Sequence, residues 1–321
     1  MRTFPLALLA FLLVFSAQAA PAAPAFEARV LGASGGIDES DLTCVLLGRA
    51  GTGEAIALDA GTVYAGLVRA FGRRAGDVLK RNIHGYFLSH AHLDHVSGLA
   101  IVSPDDTPKP VHGLPATIDA LRDHLFNGRL WPNFTNEGEK PIGKYTLVRM
   151  APGAPVDVPA AGLQVTAFPL SHGGAAGSTA FLVTAGDAAA AALYLGDTGP
   201  DAVEGAGHLA TLWDAVAPLV RDGALRAIFI EASYPDPRPD ALLFGHLTPK
   251  WIDLELQALA SRVAPDAPKT ALRGLTLVVT HIKPRTEGKG DVRAEIRKQL
   301  APVAARGVKV IVPNSGERLR F

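Results

Sequence analysis

The sequence predicts an α/β protein arranged as a four-layer αββα sandwich, two sheets face to face with helices outside each. Three observations predict it. Short runs rich in β-branched and aromatic residues, bounded by Gly, Asp and Ser, recur along the chain. Helical stretches with one apolar face are interspersed among them, an order that suits sheets covered by helices. Hydrophobic residues are 48% of the 321 positions and charged residues 19%, enough apolar material for a sizeable core and too much for intrinsic disorder.

The first half reads as strands at 26–31, 42–47, 55–58 and 83–88, with a helix over 63–74. The second half adds strands at 146–149, 163–169, 180–184, 192–195, 227–230, 275–279 and 309–312. Between the halves, residues 107–143 are longer than an ordinary connection. They predict one helix over 115–126 and then a Gly/Asn/Pro-rich loop. Two later helices carry clear punctuation. Thr248 before Pro249 is an N-cap followed by a first-turn proline, and Ile252, Leu256, Leu259 and Val263 form an apolar stripe. Asp291 caps the last helix, with Val292, Ile296, Leu300 and Val303 on one face and Gly307 past its end. The alanine-rich segment 188–192, beside Gly186-Asp187, reads as a turn.

Residues 1–19 read as an address. Arg2 precedes an apolar run over 4–15 and then a small-x-small site ending at Ala19, the order of a cleaved secretory signal. The run is too short to span about 30 Å of hydrocarbon as a helix. The expectation is therefore an exported chain, periplasmic or secreted, with residues 20–321 as one domain and no membrane attachment. Lys+Arg and Asp+Glu are both 31, so the net charge is zero. That argues against a nucleic-acid polymer as partner. The lone cysteine, Cys44, excludes an internal disulfide and cysteine-based zinc or redox sites.

The chemistry gathers in Ser89-His90-Ala91-His92-Leu93-Asp94-His95, which follows an apolar strand. His90 and His92 are two apart and point the same way in extended chain. Asp94 and His95 sit where a helix would start. One loop at a strand's C-terminal end can thus aim three imidazoles and a carboxylate at one point. These ligands suit zinc, iron or manganese, and they exceed what one open catalytic ion takes from a single loop. Two ions are the expectation. A chance pattern of this kind has odds of roughly one in a thousand, so a histidine-rich surface turn is the weaker reading.

His90-Ala91-His92-Leu93-Asp94-His95 resembles the metal motif of the metallo-β-lactamase superfamily. The longer string HAHLDHVSGLAIVSP, ending at Pro104, resembles the signature of its class II 3′,5′-cyclic-nucleotide phosphodiesterases. Further segments fit that family in order, among them Leu58-Asp59-Ala60-Gly61, Trp131-Pro132-Asn133-Phe134, Ser171-His172-Gly173, Gly196-Asp197-Thr198, Glu231-Ala232-Ser233-Tyr234, Phe244-Gly245-His246-Leu247-Thr248-Pro249 and Thr280-His281-Ile282-Lys283-Pro284. The resemblance implies two divalent ions, zinc first, with iron or manganese as alternatives. It puts His90, His92 and His172 on one ion and Asp94, His95 and His281 on the other, with Asp197 between. Taken alone, Gly196-Asp197-Thr198 would read as a turn; within this series it reads as a ligand.

His246 has two readings: it can replace His281 as a ligand, or it can donate a proton. Related tRNA-processing phosphodiesterases pair a comparable histidine with a glutamate. That likeness assigns His246 as general acid and Glu231 as its partner. His84, His112, His124 and His208 read as surface or half-buried histidines. The resemblance also implies the substrate, a small-molecule cyclic nucleotide, cyclic AMP first. A hydroxide held between the two cations would open its ring to a 5′-nucleotide, with Asp197 spacing the ions. Trp131, Asn133 and Phe134 are candidates to hold the base, by residue type. Asn133-Phe134-Thr135 also spells a glycosylation sequon, read as coincidence. The rivals are another hydrolase on this fold, acting on a β-lactam, thioester or lactone, and a non-catalytic metal-binding protein. The string to Pro104 and Gly-His-Leu-Thr-Pro favour the phosphodiester reading. A metal-binding protein would need neither the Glu231/His246 pair nor a shared aspartate.

Overall fold

The computed structural model describes residues 23–174, 177–186 and 189–321. The expected signal segment lies outside the described residues, as do Asp187 and Ala188 of the expected turn. Among the described residues fourteen strands form two seven-stranded sheets. In chain order they are β1 Phe26–Gly32, β2 Cys44–Arg49, β3 Ala55–Leu58, β4 Ile83–Phe87, β5 Lys109–Gly113, β6 Tyr145–Arg149, β7 Pro155–Val158, β8 Leu163–Leu170, β9 Ser178–Ala185, β10 Ala191–Leu195, β11 Leu225–Glu231, β12 Thr276–Thr280, β13 Lys309–Ile311 and β14 Arg318–Arg320. One sheet has the order β14-β1-β2-β3-β4-β5-β6 and the other β13-β12-β11-β10-β9-β8-β7.

The inner faces of both sheets share one apolar layer. Phe26, Val45, Leu58 and Phe87 come from the first sheet, and Val165, Phe181, Tyr194 and Phe229 from the second. Helices Tyr64–Phe71, Leu93–Val102 and Pro115–Ala120 cover the outside of the first sheet. Helices His208–Arg221, Pro249–Val263 and Val292–Gln299 cover the second. This is the expected αββα sandwich. The burial patterns follow from it. Antiparallel β8 alternates buried and half-buried residues over most of its length, whereas β10 and β12 are buried throughout, because helices cover one face of these inner strands and the other sheet covers the second.

Strand direction positions the site. β3, β4, β5 and β6 run parallel, as do β10, β11, β12 and β13. β8 is antiparallel to β9, and β9 to β10, so β8 runs the same way as β10. The loops after β4, β8, β10, β11 and β12 therefore open at C-terminal strand ends, where α/β sheets gather their chemistry.

The structure departs from the sequence reading in several places. β5, β7 and β14 were not expected. Pro110 and Gly113 hide β5 inside the long connection, and β7 and β14 are only four and three residues long. Thr248 does precede the helix Pro249–Val263, but its hydroxyl makes no capping bond and is buried without a partner. Asp291 caps as expected, its carboxylate accepting from the N–H groups of Arg293 and Ala294. His84, His124 and His208 are half-buried or exposed, but His112 is buried. It lies in β5, paired with Phe87 of β4, and its ring stacks on Phe87 at 4.4 Å and 8°.

Burial pushes the His112 pKa down to about 4, against roughly 6.5 in an unfolded chain. The folded protein keeps this ring neutral while the unfolded chain takes up the proton. The contribution is thus complete above about pH 6.5 and is lost as pH falls toward 4. In metal-free protein, His112→Phe should reduce the stability difference between pH 7 and pH 4.5, read by urea unfolding, by about 2 kcal/mol relative to the parent. An unchanged difference would remove His112 from the account.

Candidate metal centre

β4 delivers its chain to Leu88-Ser89, the loop presents His90 and His92, and the helix begins at Leu93 with His92 as its N-cap. Asp94 and His95 therefore stand in the first turn, as the spacing predicts. His172 follows β8, Asp197 follows β10 and His281 follows β12. The fold brings all seven expected ligands together.

The geometry is centred on one oxygen. Asp197 Oδ2 lies 3.0 Å from His281 Nε2, 3.3 Å from His95 Nε2, and 3.9 Å from both His90 Nε2 and His172 Nε2. On one side His92 Nδ1 is 3.0 Å from His90 Nε2 and 3.3 Å from His172 Nε2. On the other, His281 Nε2 is 3.7 Å from Asp94 Oδ2. Among the described residues four groups able to hold an ion result: His90/His92/His172, Asp94/His95/His281, His90/His95/Asp197 and His172/Asp197/His246. Ligands about 2.0–2.1 Å from a tetrahedral ion stand roughly 3.3 Å apart, which these separations approach.

Tautomers settle the orientation. Asp59 Oδ2 accepts from His95 Nδ1 at 2.8 Å. The Ser89 hydroxyl donates to Asp59 at 2.8 Å, so toward His90 Nδ1, at 3.0 Å, it can only accept. The Gly245 carbonyl accepts from His172 Nδ1 at 2.8 Å. The Thr43 hydroxyl donates to the Ser34 carbonyl and accepts from His281 Nδ1 at 2.7 Å. Four rings thus carry a proton on the outward Nδ1 and aim Nε2 inward, where a metal would take its lone pair. His95 Nε2 and His281 Nε2 are buried with no hydrogen-bond partner. Inward lone pairs facing one another have no reason to be buried unless cations receive them, and that fits divalent metal.

In the metal-free chain the electrostatics divide the set: burial alone would lower the His95 pKa, but Asp197 and Asp59 raise it well above its ordinary value, so a proton on His95 stands where a bound cation would replace it. Burial alone would raise the Asp197 pKa, but His281 and His95 hold its carboxyl well below the usual range. Burial also lowers His90, and the neighbouring His95 lowers it further, leaving a neutral ring of the kind a metal takes. His92 is exposed while His90 and His172 are buried, so the centre opens to solvent at His92. Gly196 is required by close approach, since a Cβ there would lie 2.3 Å from Ser89 Cβ.

His246 sits beside this centre with both ring nitrogens engaged. Nδ1 is 2.8 Å from Glu231 Oε1 and 3.7 Å from Asp197 Oδ2, and Nε2 is 2.9 Å from Lys283 Nζ. Glu231 is pinned by the N–H groups of Thr198 and Ser233. Burial alone would lower the His246 pKa, but Glu231 raises it.

The long loop does not join the site. Trp131 Nε1 donates to Ser103 Oγ at 3.0 Å. Ser103 caps the C-terminal end of the helix Leu93–Val102, whose ten residues span about 15 Å. Asn133 is buried and spends its amide on the carbonyls of Glu137 and Glu139. Phe134 packs on the outer core of the first sheet. The expectation that Trp131, Asn133 and Phe134 hold a base is corrected: they fasten the loop to the core, away from the ligands. The buried Asn133 also explains why its sequon is a coincidence. Sequence reasoning gave no role to Asp59, Ser89, Thr43 or Lys283. The signal for Asp59 was its place one residue after a strand in Leu58-Asp59-Ala60-Gly61.

Fold and site together define a binuclear metallohydrolase of the metallo-β-lactamase fold. Residues 72–316 match the family described as cAMP phosphodiesterases class-II. The chain is 40% identical over 325 residues to the 3′,5′-cyclic-nucleotide phosphodiesterase of Aliivibrio fischeri, covering 96% of this chain and 95% of that one. Unliganded yeast PDE1 is similar at a TM-score of 0.83 and 25% identity, over 93% of this chain and all of that one. The metallo-beta-lactamase fold protein YhfI from Bacillus subtilis, at a TM-score of 0.62 and 16% identity over 92% of this chain and 99% of that one, shares the fold. The chain belongs to the class-II cAMP phosphodiesterase family.

Asp59 is fully buried and accepts four bonds, from Ser89 N, Ser89 Oγ, His95 Nδ1 and Tyr194 Oη. Asp59→Asn keeps the size and removes the charge that holds His95. Its affinity for the more weakly held metal equivalent should fall 10- to 100-fold, measured by chelator competition. Parental affinity in a folded variant would contradict that role.

Proposed function

We propose that this chain hydrolyses 3′,5′-cyclic nucleotides, cyclic AMP first among them, to 5′-nucleotides. The observation that carries the reading is the single Asp197 oxygen held between two complete three-residue ligand sets, within a chain of the class-II family. His90, His92 and His172 would hold one ion, Asp94, His95 and His281 the other, and Asp197 both. Five imidazoles and two carboxylates suit zinc, with iron and manganese as alternatives. When bound, the ions make hydroxide available near neutral pH and offset charge on the phosphoryl oxygens.

Hydrolysis forms one bond, from a water oxygen to phosphorus, and breaks another, from phosphorus to O3′. O3′ leaves as a poor alkoxide and needs a proton. His246 is assigned to supply it. Both its nitrogens already have partners, unlike the bare Nε2 of His95 and His281, which supports a proton donor over a seventh imidazole-or-carboxylate ligand besides Asp197. Glu231 fixes the ring through Nδ1, and Lys283, within hydrogen-bond distance of Nε2, would return a proton to that nitrogen after one has passed to O3′. The chain is further proposed to act after export. The basic, apolar and small-residue order of residues 1–19 supports this, and among the described residues no helix is long and apolar enough to cross a membrane.

Protein purified from the exported fraction should begin at Ala20 by mass. Loaded with zinc, iron or manganese, it should convert cyclic nucleotides to 5′-nucleotides and leave β-lactams, lactones and thioesters untouched. Asp197→Ala should lower kcat/KM at least about 100-fold, and His246→Ala should lower kcat by about 10²- to 10⁴-fold. Turnover of a thioester, lactone or β-lactam with cyclic nucleotides left intact would overturn the assignment.

A further inference from the structure

The mouth of the metal centre carries three large apolar side chains that the hydrolytic chemistry does not use: Ile37, Leu93 and Phe244, at 66%, 65% and 62% exposure. Ile37 follows Gly36, whose N–H donates to Asp94 at 3.0 Å, and Leu93 precedes Asp94. Both are aliphatic and flank the Asp94 side. Phe244 flanks the His172 side and differs in kind.

Its backbone is held at φ +54°, a conformation that bulky residues seldom adopt. The next residue explains the constraint. The Gly245 carbonyl accepts from His172 Nδ1, and a Cβ on Gly245 would lie 2.3 Å from Gly173 N and 2.9 Å from His172 Nδ1. The turn is locked onto a ligand, and Phe244 is the residue it turns outward.

Phe244 also does not stand alone. The Arg238 guanidinium lies 5.9 Å from its ring and 3.5 Å from the Tyr234 ring, and Arg238 Nε donates to the Leu242 carbonyl at 2.6 Å. Tyr234 meets the His246 ring edge-on at 5.8 Å, and Lys283 Nζ lies 5.4 Å from the Tyr234 ring. A row of flat groups, Phe244, Arg238 and Tyr234, thus runs from solvent to the proton donor and ends at a lysine. Flat π and guanidinium faces at fixed positions are what a nucleobase stacks on.

We propose that Phe244, with Arg238 behind it, is the stacking platform for the purine of a cyclic nucleotide whose phosphate lies at the metal centre. The inference rests on the phosphodiesterase reading above. It fixes which way the substrate lies: base toward His172 and His246, away from Asp94. Stacking is tolerant of base identity and scales with ring area, so purines are favoured over pyrimidines.

The test compares cyclic AMP, cyclic CMP and a base-free ribose 3′,5′-cyclic phosphate on the full chain at equal metal content. In Phe244→Ala, the ratio of kcat/KM for cyclic AMP to that for the base-free diester should fall about tenfold, mainly through KM. Phe244→Trp should keep the ratio near the parental value. Tyr64→Ala, an exposed aromatic on the helix Tyr64–Phe71, should leave it unchanged. A parental ratio in Phe244→Ala would overturn the platform and leave the phosphodiesterase reading standing. Failure of the unmodified protein to hydrolyse any cyclic nucleotide would overturn both.

Discussion

Everything in the site depends on imidazole nitrogens and carboxylate oxygens being driven together in a buried place. Asp197 Oδ2 has five imidazole nitrogens within 3.9 Å. Four of those rings belong to the expected ligands, and each has its outward nitrogen bonded to an acceptor. Lone pairs turned inward repel one another and go unsolvated. Such an arrangement costs stability unless cations complete it. The same feature is the source of function, because groups arranged to receive two cations can also gather a phosphoryl group between them.

The sandwich supplies the rigidity that this cost demands. Parallel strands in each sheet bring their C-terminal ends to the ligands, and the shared layer between sheets fixes their relation. Asp59 shows how closely the layers cooperate. It follows β3 and accepts from Ser89 after β4, from His95 on the next helix and from Tyr194 on β10. One buried carboxylate thereby ties β3 and β4 of the first sheet and β10 of the second to the histidine on the covering helix. Gly196 lets the chain after β10 pass against Ser89, so Asp197 arrives at the correct depth.

Much of this was legible in the sequence, and the reasons are physical. Period-two spacing aligned His90 with His92, and a helix start placed Asp94 and His95, so one segment announced half the site. The ordered segments around His172, Asp197 and His281 supplied the rest. What escaped notice was what depends on pairing across the fold. Thr43 and Asp59 act through partners distant in sequence; the place of Asp59 just after a strand is its one local mark, and Thr43 has none. Trp131 and Phe134 misled because an aromatic in a long loop suits packing as well as binding; only the bond from Trp131 to Ser103 separates the two. Phe244 was overlooked because its exposure follows from a turn locked to His172, which no pattern of residue types reveals. β5 was missed because Lys-Pro-Val-His-Gly carries two strand breakers, yet its parallel pairing with β4 and β6 tolerates them.

The most direct measurement is anomalous diffraction at the metal edge from crystals of the purified protein. Two peaks about 3.5–4 Å apart are expected, one among His90, His92 and His172, the other among Asp94, His95 and His281, with Asp197 touching both. A single peak, or two peaks with Asp197 turned away from either, would contradict the shared-carboxylate centre from which the rest was argued.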